Sequence, residues 1–415
     1  MTGAGAYFDE LEIRDPEQRE AEQMAALAAA IGHAKANSAY FADLLKDVAP
    51  AEVISRAALA RLPVTRKSDL KAHQAAARPL GGLNGAPLSQ IEQIFMSPGP
   101  IYEPGARTGD FWRMGRALYA AGCRAGDLVH NTFSYHMTPA GMMMEAGAAA
   151  IGCTVFPAGT GNTEMQLQAM AELRPAAYVG TPSFLKILLE KGRDTGIDLS
   201  CLRAASVGGE ALPPSLRAEL KALGVGPIQS YGTADLGLIA YETPALEGMV
   251  VDEGIVLEIV RPGTGDPVED GEVGEIVVTT FNPVYPLIRF ATGDMSAVLG
   301  GTSPCGRTNR RIKGWMGRAD QTTKVKGMFV HPGQVEQVRK RHEALVRVRL
   351  VVDSVDNVDR MTLRCEVAGD GGDALRAAVT ETLQASCKLR GGVEFVAPGT
   401  LPNDGKVIDD VRTYE

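Results

Sequence analysis

Residues 285–294, YPLIRFATGD, carry side chains that could bind a nucleotide. Arg289 and Asp294 bracket an expected turn there. A carboxylate such as that of Asp294 can accept two hydrogen bonds from the hydroxyls of a ribose. The alternative is an Arg–Asp pair that only stabilises the turn. At a protein surface such a pair contributes only about 0–1 kcal/mol, so stability alone explains the arrangement poorly.

Two later segments could complete such a site. Residues 317–327, GRADQTTKVKG, place Asp320 at an expected domain boundary, where a hinge residue must absorb a large change in φ and ψ. Lys406 follows the turn-like PNDG and could bring a flexible ammonium group to developing negative charge. The alternatives are an ordinary charged linker and a solvated surface lysine.

Two predicted strand ends carry further candidates. SVGGE, at 206–210, would let a flat ring approach the backbone, or it is only a tight strand-to-helix turn. In QSYGTADL, Tyr231 could stack on a base, Thr233 could reach a phosphate and Asp235 could bind Mg²⁺. The alternative for Asp235 is a helix cap. His136, in FSYHMTPAG, either lines a substrate pocket or is a satisfied histidine at a strand end.

The pattern of the chain predicts the scaffold that holds these segments. Short β-rich runs alternate with helical patterns from 127 to 232, which is typical of βαβ units and a largely parallel sheet. The expected strands are 128–133, 154–156, 177–180, 204–207 and 228–231, and the expected helices are 139–151, 164–173, 183–191 and 213–223. Between 250 and 281, IVLEIV and EIVVTTF predict an antiparallel hairpin region.

Both ends of the chain have their own patterns. Residues 17–46 predict one helix. After residue 320 the chain predicts a compact α+β lid. The helices expected in the lid are 332–343 and 373–386, and its expected strands are 345–353, 361–367 and 392–396. The predicted domains are therefore 1–319 and 320–415.

Composition excludes several classes of protein. The chain has 415 residues, enough for two or three domains, and 45% of them are hydrophobic. A formal charge of -8 without a Lys/Arg-rich run argues against a nucleic-acid partner. The longest apolar stretch, 137–155, contains Glu145 and predicts a buried helix and strand, not a membrane span. The acidic N-terminal segment makes the cytoplasm the expected compartment. Six scattered cysteines without a CxxC pair indicate neither a disulfide framework nor a standard zinc site.

In their order along the chain, SVGGE, YGTAD, PLIRFATGD, GRADQTTKVKG and the final GK resemble the motifs of the adenylate-forming superfamily. That superfamily includes acyl-CoA synthetases, luciferases and peptide-synthetase adenylation domains. YFDELEIRDPEQRE, GNTEMQLQAMAELRPAAYVGTPSF and CGRTNRRI resemble its phenylacetate–CoA ligase-like group. The resemblance covers nearly the whole chain. It implies an α/β fold with a large N-terminal domain of mainly parallel sheets flanked by helices, an antiparallel, barrel-like subdomain and a small C-terminal α+β lid.

The resemblance also implies roles for individual residues. The AMP part of the site would consist of Gly208, Gly209, Glu210, Tyr231, Gly232, Thr233, Asp294 and Arg318. Asp235 would take the place of the family's magnesium-associated Glu, and His136 would lie in the acid pocket. Asp320 would be the hinge, Gly327 would border the route of CoA, and Lys406 would be the adenylation lysine.

The chain departs from the family pattern in two places. The family's phosphate loop reads roughly SSGTTGKP, whereas residues 97–104 read SPGPIYEP. Ser97 and Gly99 remain, but Glu103 replaces the lysine. Losing three charge-assisted hydrogen bonds would cost about 4–9 kcal/mol if they were additive. Ala234 also removes a hydroxyl near the α-phosphate. The AMP half of the site is thus better preserved than the pyrophosphate half.

The sequence favours an ATP-dependent carboxylic acid–CoA ligase that forms an acyl or aryl adenylate and then a thioester. The resemblance favours an aryl or arylacetic acid and implies ATP/AMP, Mg²⁺ and CoA as ligands, with a homodimer as a plausible assembly. One alternative is a non-catalytic or ATP-impaired protein that binds AMP, an acyl-adenylate or CoA. Another is a transferase that uses a preformed acyl-adenylate.

Overall fold

The computed structural model describes residues 5–97, 100–106, 109–321, 323–325, 328–355, 358–369, 371–402 and 406–412. The helices within these ranges are α1 Pro16–Asn37, α2 Ala39–Leu44, α3 Arg56–Leu59, α4 Leu70–Ala76, α5 Gly115–Ala120, α6 Ala140–Ile151, α7 Thr163–Leu173, α8 Pro182–Thr195, α9 Pro214–Ala222, α10 Pro332–Arg341 and α11 Gly372–Cys387. Short 3-10 helices span Glu10–Ile13, Pro50–Glu52, Lys67–Asp69, Leu88–Gln90 and Ala319–Gln321.

The strands of the same ranges are β1 Thr65–Arg66, β2 Gln93–Ser97, β3 Ile101–Gly105, β4 Leu128–Asn131, β5 Thr154–Pro157, β6 Ala177–Gly180, β7 Ala204–Val207, β8 Ile228–Thr233, β9 Gly237–Tyr241, β10 Met249–Val251, β11 Ile255–Val260, β12 Gly274–Thr280, β13 Phe290–Ser296, β14 Val298–Leu299, β15 Arg311–Ile312, β16 Thr323–Val325, β17 Met328–Val330, β18 Leu345–Val355, β19 Val358–Val367, β20 Gly392–Val396 and β21 Ile408–Asp410.

These elements form two compact units. The first consists of Met1–Thr292 with Ser296–Trp315, and the second of Gly293–Met295 with Met316–Glu415. The domain boundary predicted from the sequence lies at 319/320, and the hinge role of Asp320 remains a prediction.

The first unit is built on a sheet with the order β14-β15-β10-β9-β8-β7-β6-β4-β5. Strands β4 to β8 run parallel, whereas β8, β9, β10, β15 and β14 pair antiparallel. This arrangement confirms the parallel βαβ region. Four further strands form a second sheet, β1-β13-β12-β11, in which β11 and β12 form the predicted antiparallel pair. Strands β2 and β3 form a separate antiparallel hairpin.

The parallel strands are covered on both faces. Ala177 and Val179 of β6 pack in a core with α5 and α6, whereas Tyr178 packs in a core with α7, α8 and α9. Alternate side chains point to opposite faces of a strand, so a strand buried on both faces has a continuous apolar sequence. Met143 and Met144 belong to the α5/α6 core.

The N-terminal helical segment differs from the prediction. One helix was expected over 17–46, but α1 ends at Asn37 and α2 begins at Ala39. Ser38 between them is extended, and its hydroxyl accepts a hydrogen bond from the Phe41 amide. Serine competes for backbone hydrogen bonds in this way and favours caps over helix interiors.

The second unit contains the predicted lid elements. Its sheet has the order β20-β19-β18-β21, and the hairpin β16–β17 is separate from that sheet. Val335 of α10 and Leu383 of α11 pack with Leu350 of β18 and Leu363 of β19 in one apolar core. Among the described residues, none of the helices is both long and apolar enough to cross a lipid bilayer.

Candidate functional site

The carboxyl ends of the parallel strands gather several predicted site residues at one edge of the first unit. In the sheet, β4 pairs with β6, β6 with β7 and β7 with β8, and all three pairs are parallel. The segments that follow these strands therefore meet at this edge. Open α/β sheets bind ligands outside the carboxyl ends of their strands. The segment SVGGE overlaps the end of β7, and YGTAD overlaps the end of β8.

Other residues pack closely around the Gly208–Gly209 turn at this edge. Gly209 has a φ of 75°, which other residues rarely adopt. A Cβ on Gly209 would lie 3.5 Å from the ring of Phe133 and 4.0 Å from the Thr181 methyl group. A Cβ on Gly208 would lie 3.0 Å from the Ser230 carbonyl oxygen. Glu210 is exposed, and its carbonyl accepts a hydrogen bond of 3.0 Å from Gln229. The absence of side chains at these two positions therefore leaves only backbone to meet whatever binds at this edge.

The end of β8 is irregular where the second motif begins. The register between β8 and β9 shifts between Tyr231 and Gly232, and such bulges are frequent near active sites. A Cβ on Gly232 would lie 2.6 Å from the Gly237 carbonyl oxygen, so only glycine fits. Tyr231 is half-buried. The Thr233 hydroxyl accepts a hydrogen bond of 3.2 Å from the Leu236 amide.

Asp235 lies in the turn between β8 and β9 and forms an ion pair with Lys67. The Lys67 ammonium donates to Oδ2 of Asp235 at 2.5 Å. The Asp235 side chain is fully buried, whereas 22% of the Lys67 side chain is exposed. Lys67 begins the short 3-10 helix that follows β1. The carboxylate therefore faces the interior, with the ammonium on its solvent side.

Glu103, which replaces the loop lysine, is buried inside the β2–β3 hairpin region. Its exposed fraction is 0%, and its Oε1 accepts a hydrogen bond from the Ser97 hydroxyl. Burial, followed by the nearby Asp235 carboxylate, raises the pKa of Glu103 to about 8, although Ser97 and Lys67 oppose the shift. Glu103 is therefore mostly protonated at neutral pH. The extra negative charge expected beside the phosphates is largely absent. Gly99 lies outside the described residues.

Tyr285 completes this buried cluster. Burial is the largest cause of a raised pKa for its phenol, and the charges of Asp235 and Glu103 add to the increase. Among the described atoms, the Tyr285 hydroxyl, Oδ1 of Asp235 and Oε2 of Glu103 are buried without a hydrogen-bond partner. Buried polar atoms are normally satisfied, so three unsatisfied atoms in one cluster are unusual.

The hairpin is anchored to the carboxyl edge by backbone contacts. The Met96 amide of β2 donates to the Met137 carbonyl at 2.8 Å, in the loop after β4. His136 precedes Met137 in that loop and is exposed, with its backbone amide donating to Ser134 Oγ. The place of His136 in an acid pocket remains a prediction.

The second unit contains the pair Asp294–Arg318. Nη1 of Arg318 donates to Oδ1 of Asp294 at 3.1 Å, and the two residues also form an isolated antiparallel bridge. The expected turn between Arg289 and Asp294 is wrong, because β13 begins at Phe290 and continues to Ser296. The Arg–Asp turn pair is also wrong, because the Arg289 side chain instead donates to Glu258 at 3.0 Å.

The other candidates of the second unit are partly described. Lys406 contacts Oδ1 of Asp409 at 3.2 Å, with 55% of its side chain exposed. Asp320 lies in the 3-10 helix Ala319–Gln321. Gly327 lies outside the described residues. The roles of these three residues remain predictions.

Sequence reasoning missed Lys67, Phe133 and Thr181. A signal for Lys67 existed, since TRKSDL contains a lysine directly after a short β-prone run. Phe133 ends the predicted strand 128–133 and Thr181 follows the predicted strand 177–180, so their position at the carboxyl edge could have been inferred from the parallel order. Nothing local to Lys67 pointed to Asp235, which lies 168 residues away.

Asp235 offers one carboxylate oxygen that could bind a magnesium ion. Oδ1 of Asp235 is buried without a hydrogen-bond partner among the described atoms, and a carboxylate oxygen is the donor that Mg²⁺ prefers. In the described ranges, no three His, Cys, Asp and Glu side chains cluster around a possible metal position. Mg²⁺ commonly takes one or two carboxylates and completes its shell with substrate phosphates and water, which suits this site.

Comparison with known proteins agrees with this arrangement. The family model described as AMP-binding enzyme matches residues 112–282. The phenylacetate–coenzyme A ligase of Thermus thermophilus is 31% identical over 327 residues, covering 75% of this chain and 72% of the relative. The protein of the same name from Escherichia coli K12 is 30% identical over 326 residues, covering 74% and 73%.

A solved structure has the same fold. The crystal structure of an open conformation of 2-hydroxyisobutyryl-CoA ligase, in complex with 2-HIB-AMP and CoA, superposes with a TM-score of 0.86. The two proteins share 23% sequence identity, and the match covers 98% of this chain and 95% of that one. Together with the two relatives, this places the chain in the adenylate-forming superfamily, as a member of its phenylacetate–CoA ligase-like group of AMP-forming acid–thiol ligases.

Proposed function

We propose that the protein is an ATP-dependent carboxylic acid–CoA ligase that acts on aryl or arylacetic acids. The glycine turn at Gly208–Gly209, at the carboxyl edge of the parallel sheet, carries the proposal, because a turn without side chains lets a purine ring approach the backbone. The choice of acid is supported by the names of the relatives from Thermus thermophilus and Escherichia coli.

The reaction has two steps. A carboxylate oxygen of the acid forms a bond to the α-phosphorus of ATP, and the bond from that phosphorus to the pyrophosphate oxygen breaks. The sulfur of CoA then bonds to the acyl carbon, the bond to the AMP oxygen breaks, and the thiol proton passes to solvent. Catalysis of phosphoryl-group reactions relies mainly on positioning and on stabilising charge.

Individual residues would divide these tasks. Gly208, Gly209 and Tyr231 would hold the adenine, and Asp294 would accept hydrogen bonds from the ribose hydroxyls. Asp235 would hold Mg²⁺, and the bound ion would neutralise part of the phosphate charge. Lys406 would donate hydrogen bonds to the charge that develops during adenylation.

The burial of Glu103 weakens the argument for a protein that only binds AMP, an acyl-adenylate or CoA without catalysis. That alternative rested on the altered phosphate loop, one part of which is a carboxylate that would repel the triphosphate. A carboxyl group with a pKa of about 8 is mostly neutral at pH 7 and does not repel phosphate. We therefore favour catalysis with ATP.

Product formation tests the proposal. The protein is mixed with MgATP, CoA and one acid at a time from phenylacetate, benzoate, 2-hydroxyisobutyrate and acetate, and pyrophosphate, AMP and thioester are measured. We expect acid-dependent release of pyrophosphate, fastest with an aryl acid. AMP binding without pyrophosphate release from any acid would favour the binding-only alternative. Thioester formation only from a synthetic acyl-adenylate would favour the transferase.

A further inference from the structure

The β2–β3 hairpin has no cation of its own for a triphosphate. Residues 93–105 contain neither lysine nor arginine. Glu103, at the position where the family's loop has lysine, faces the interior and is bonded to Ser97. A triphosphate bound beside Ser97 and Glu103 would need positive charge from another part of the chain.

Lys67 lies beside this hairpin. Gln74 of α4 forms two hydrogen bonds with Tyr102 of β3: its Nε2 donates to the Tyr102 carbonyl at 2.7 Å, and its Oε1 accepts from the Tyr102 amide at 2.9 Å. These bonds attach the segment that begins at Lys67 to the hairpin. On the other side, Thr65 of β1 pairs with Phe290 of β13.

The ammonium of Lys67 is fixed by one ion pair and remains partly accessible to solvent. Asp235 accepts one hydrogen bond from it at 2.5 Å, and an ammonium group has three N–H donors. The side chain of Lys67 is 22% exposed, although its partner carboxylate is fully buried. Asp235 thus orients the ammonium and leaves donor capacity on the solvent side.

We propose that Lys67 supplies the ammonium that contacts the outer phosphates of ATP, in place of the lysine that the hairpin lacks, and that Asp235 positions it. The identity of the nucleotide rests on the proposed function. Lys67 would thus be a phosphate-binding residue that distinguishes ATP from AMP.

Calorimetry with ATP and with AMP at constant magnesium tests this role. Lys67→Met should weaken ATP binding by about ten- to a hundredfold, the effect of losing one charge-assisted contact, and change AMP binding by less than about threefold. Lys67→Arg should recover part of the ATP affinity. Lys71→Met, an exposed lysine in the following helix, is the matched control and should leave both affinities unchanged.

A second pair of variants separates phosphate binding from stability. Lys67→Met leaves the buried Asp235 carboxylate without its partner, which could impair folding. The variant Asp235→Asn is therefore compared with the double variant K67M/D235N, because both lack that carboxylate. The double variant should bind ATP about tenfold or more weakly than Asp235→Asn and bind AMP equally well. Equal loss of ATP and AMP affinity, or no loss of either, would overturn the proposal. The ligase proposal would fail on its own if no acid yielded pyrophosphate. The Lys67 proposal would still stand in that case if the preference for ATP over AMP depended on Lys67.

Discussion

Burial changes the charge state of Glu103. The carboxyl group is enclosed beside Asp235, Lys67 and Ser97, and desolvation is the largest cause of its raised pKa. The residue therefore behaves at neutral pH as a hydrogen-bonded polar group. A largely neutral Glu103 in this hairpin is therefore compatible with the proposed use of an anionic nucleotide.

The raised pKa of Glu103 predicts a pH-dependent stability. The pKa of Glu103 is about 8 in the folded chain and about 4.5 ordinarily. The contribution of Glu103 to the free energy of unfolding is therefore fully present below pH 4.5 and is lost as the pH rises through 8. Between these values the slope is about 1.4 kcal/mol per pH unit. Thermal unfolding from pH 5 to 9 should show a steeper loss of stability for the wild type than for Glu103→Gln. Glu164→Gln, at a side chain that is 88% exposed, should follow the wild type, and parallel curves for all three proteins would contradict the assignment.

Lys406 carries a second prediction at the residue scale. Lys406→Ala should lower the rate of acid-dependent pyrophosphate release by about two to three orders of magnitude, the scale of losing one preorganised donor. Stopped-flow or coupled pyrophosphate assays measure this rate. Lys340→Ala, an exposed lysine of α10 in the same unit, should have no effect. A Lys406→Ala enzyme with the wild-type rate would remove Lys406 from the mechanism.

Arg289 joins several elements of the first unit. Its guanidinium is 2% exposed and forms an ion pair with Glu258 of β11. Further donors bind the carbonyl oxygens of Ala60, Leu62 and Gly265. These bonds hold a backbone φ of 44° that a non-glycine residue rarely adopts. Arg289 thus fixes the start of β13.

Removing this buried cation should destabilise the first unit. Arg289→Met should lower the free energy of unfolding by about 3–5 kcal/mol, because it leaves the Glu258 carboxylate buried without its partner. Urea denaturation measures the change. Arg360→Met removes an ion pair with Asp353 whose side chains are 61% and 32% exposed, and should have a much smaller effect. Similar losses in the two variants would show that Arg289 has no special structural role.

The division of the chain into two units gives a prediction for the whole molecule. If Asp320 is the hinge, Asp320→Pro should retain acid-dependent pyrophosphate release and lose thioester formation, because proline fixes φ and restricts the preceding residue. Both products are measured in one reaction mixture. Asp320→Ala, which keeps the backbone free, should retain both steps. Loss of both steps in the proline variant, with its melting temperature unchanged, would contradict a hinge at this position.

The sequence by itself determined most of the elements. The strands β6 and β7 were predicted with their observed bounds, and the lid elements from α10 to β20 appeared in the predicted order. Periods of 2 and 3.6 residues and local turn residues specify such elements within a short window. The break at Ser38 was missed because the helical pattern continues on both sides of it.

Only the tertiary structure decided which charges meet. Asp235 and Lys67 are 168 residues apart, and Arg289 and Glu258 are 31 apart. The neutral state of Glu103 depends on burial among residues from other segments. No local pattern encodes these contacts, because a side chain's charge and partners depend on the solvent exclusion and neighbours that the assembled fold provides.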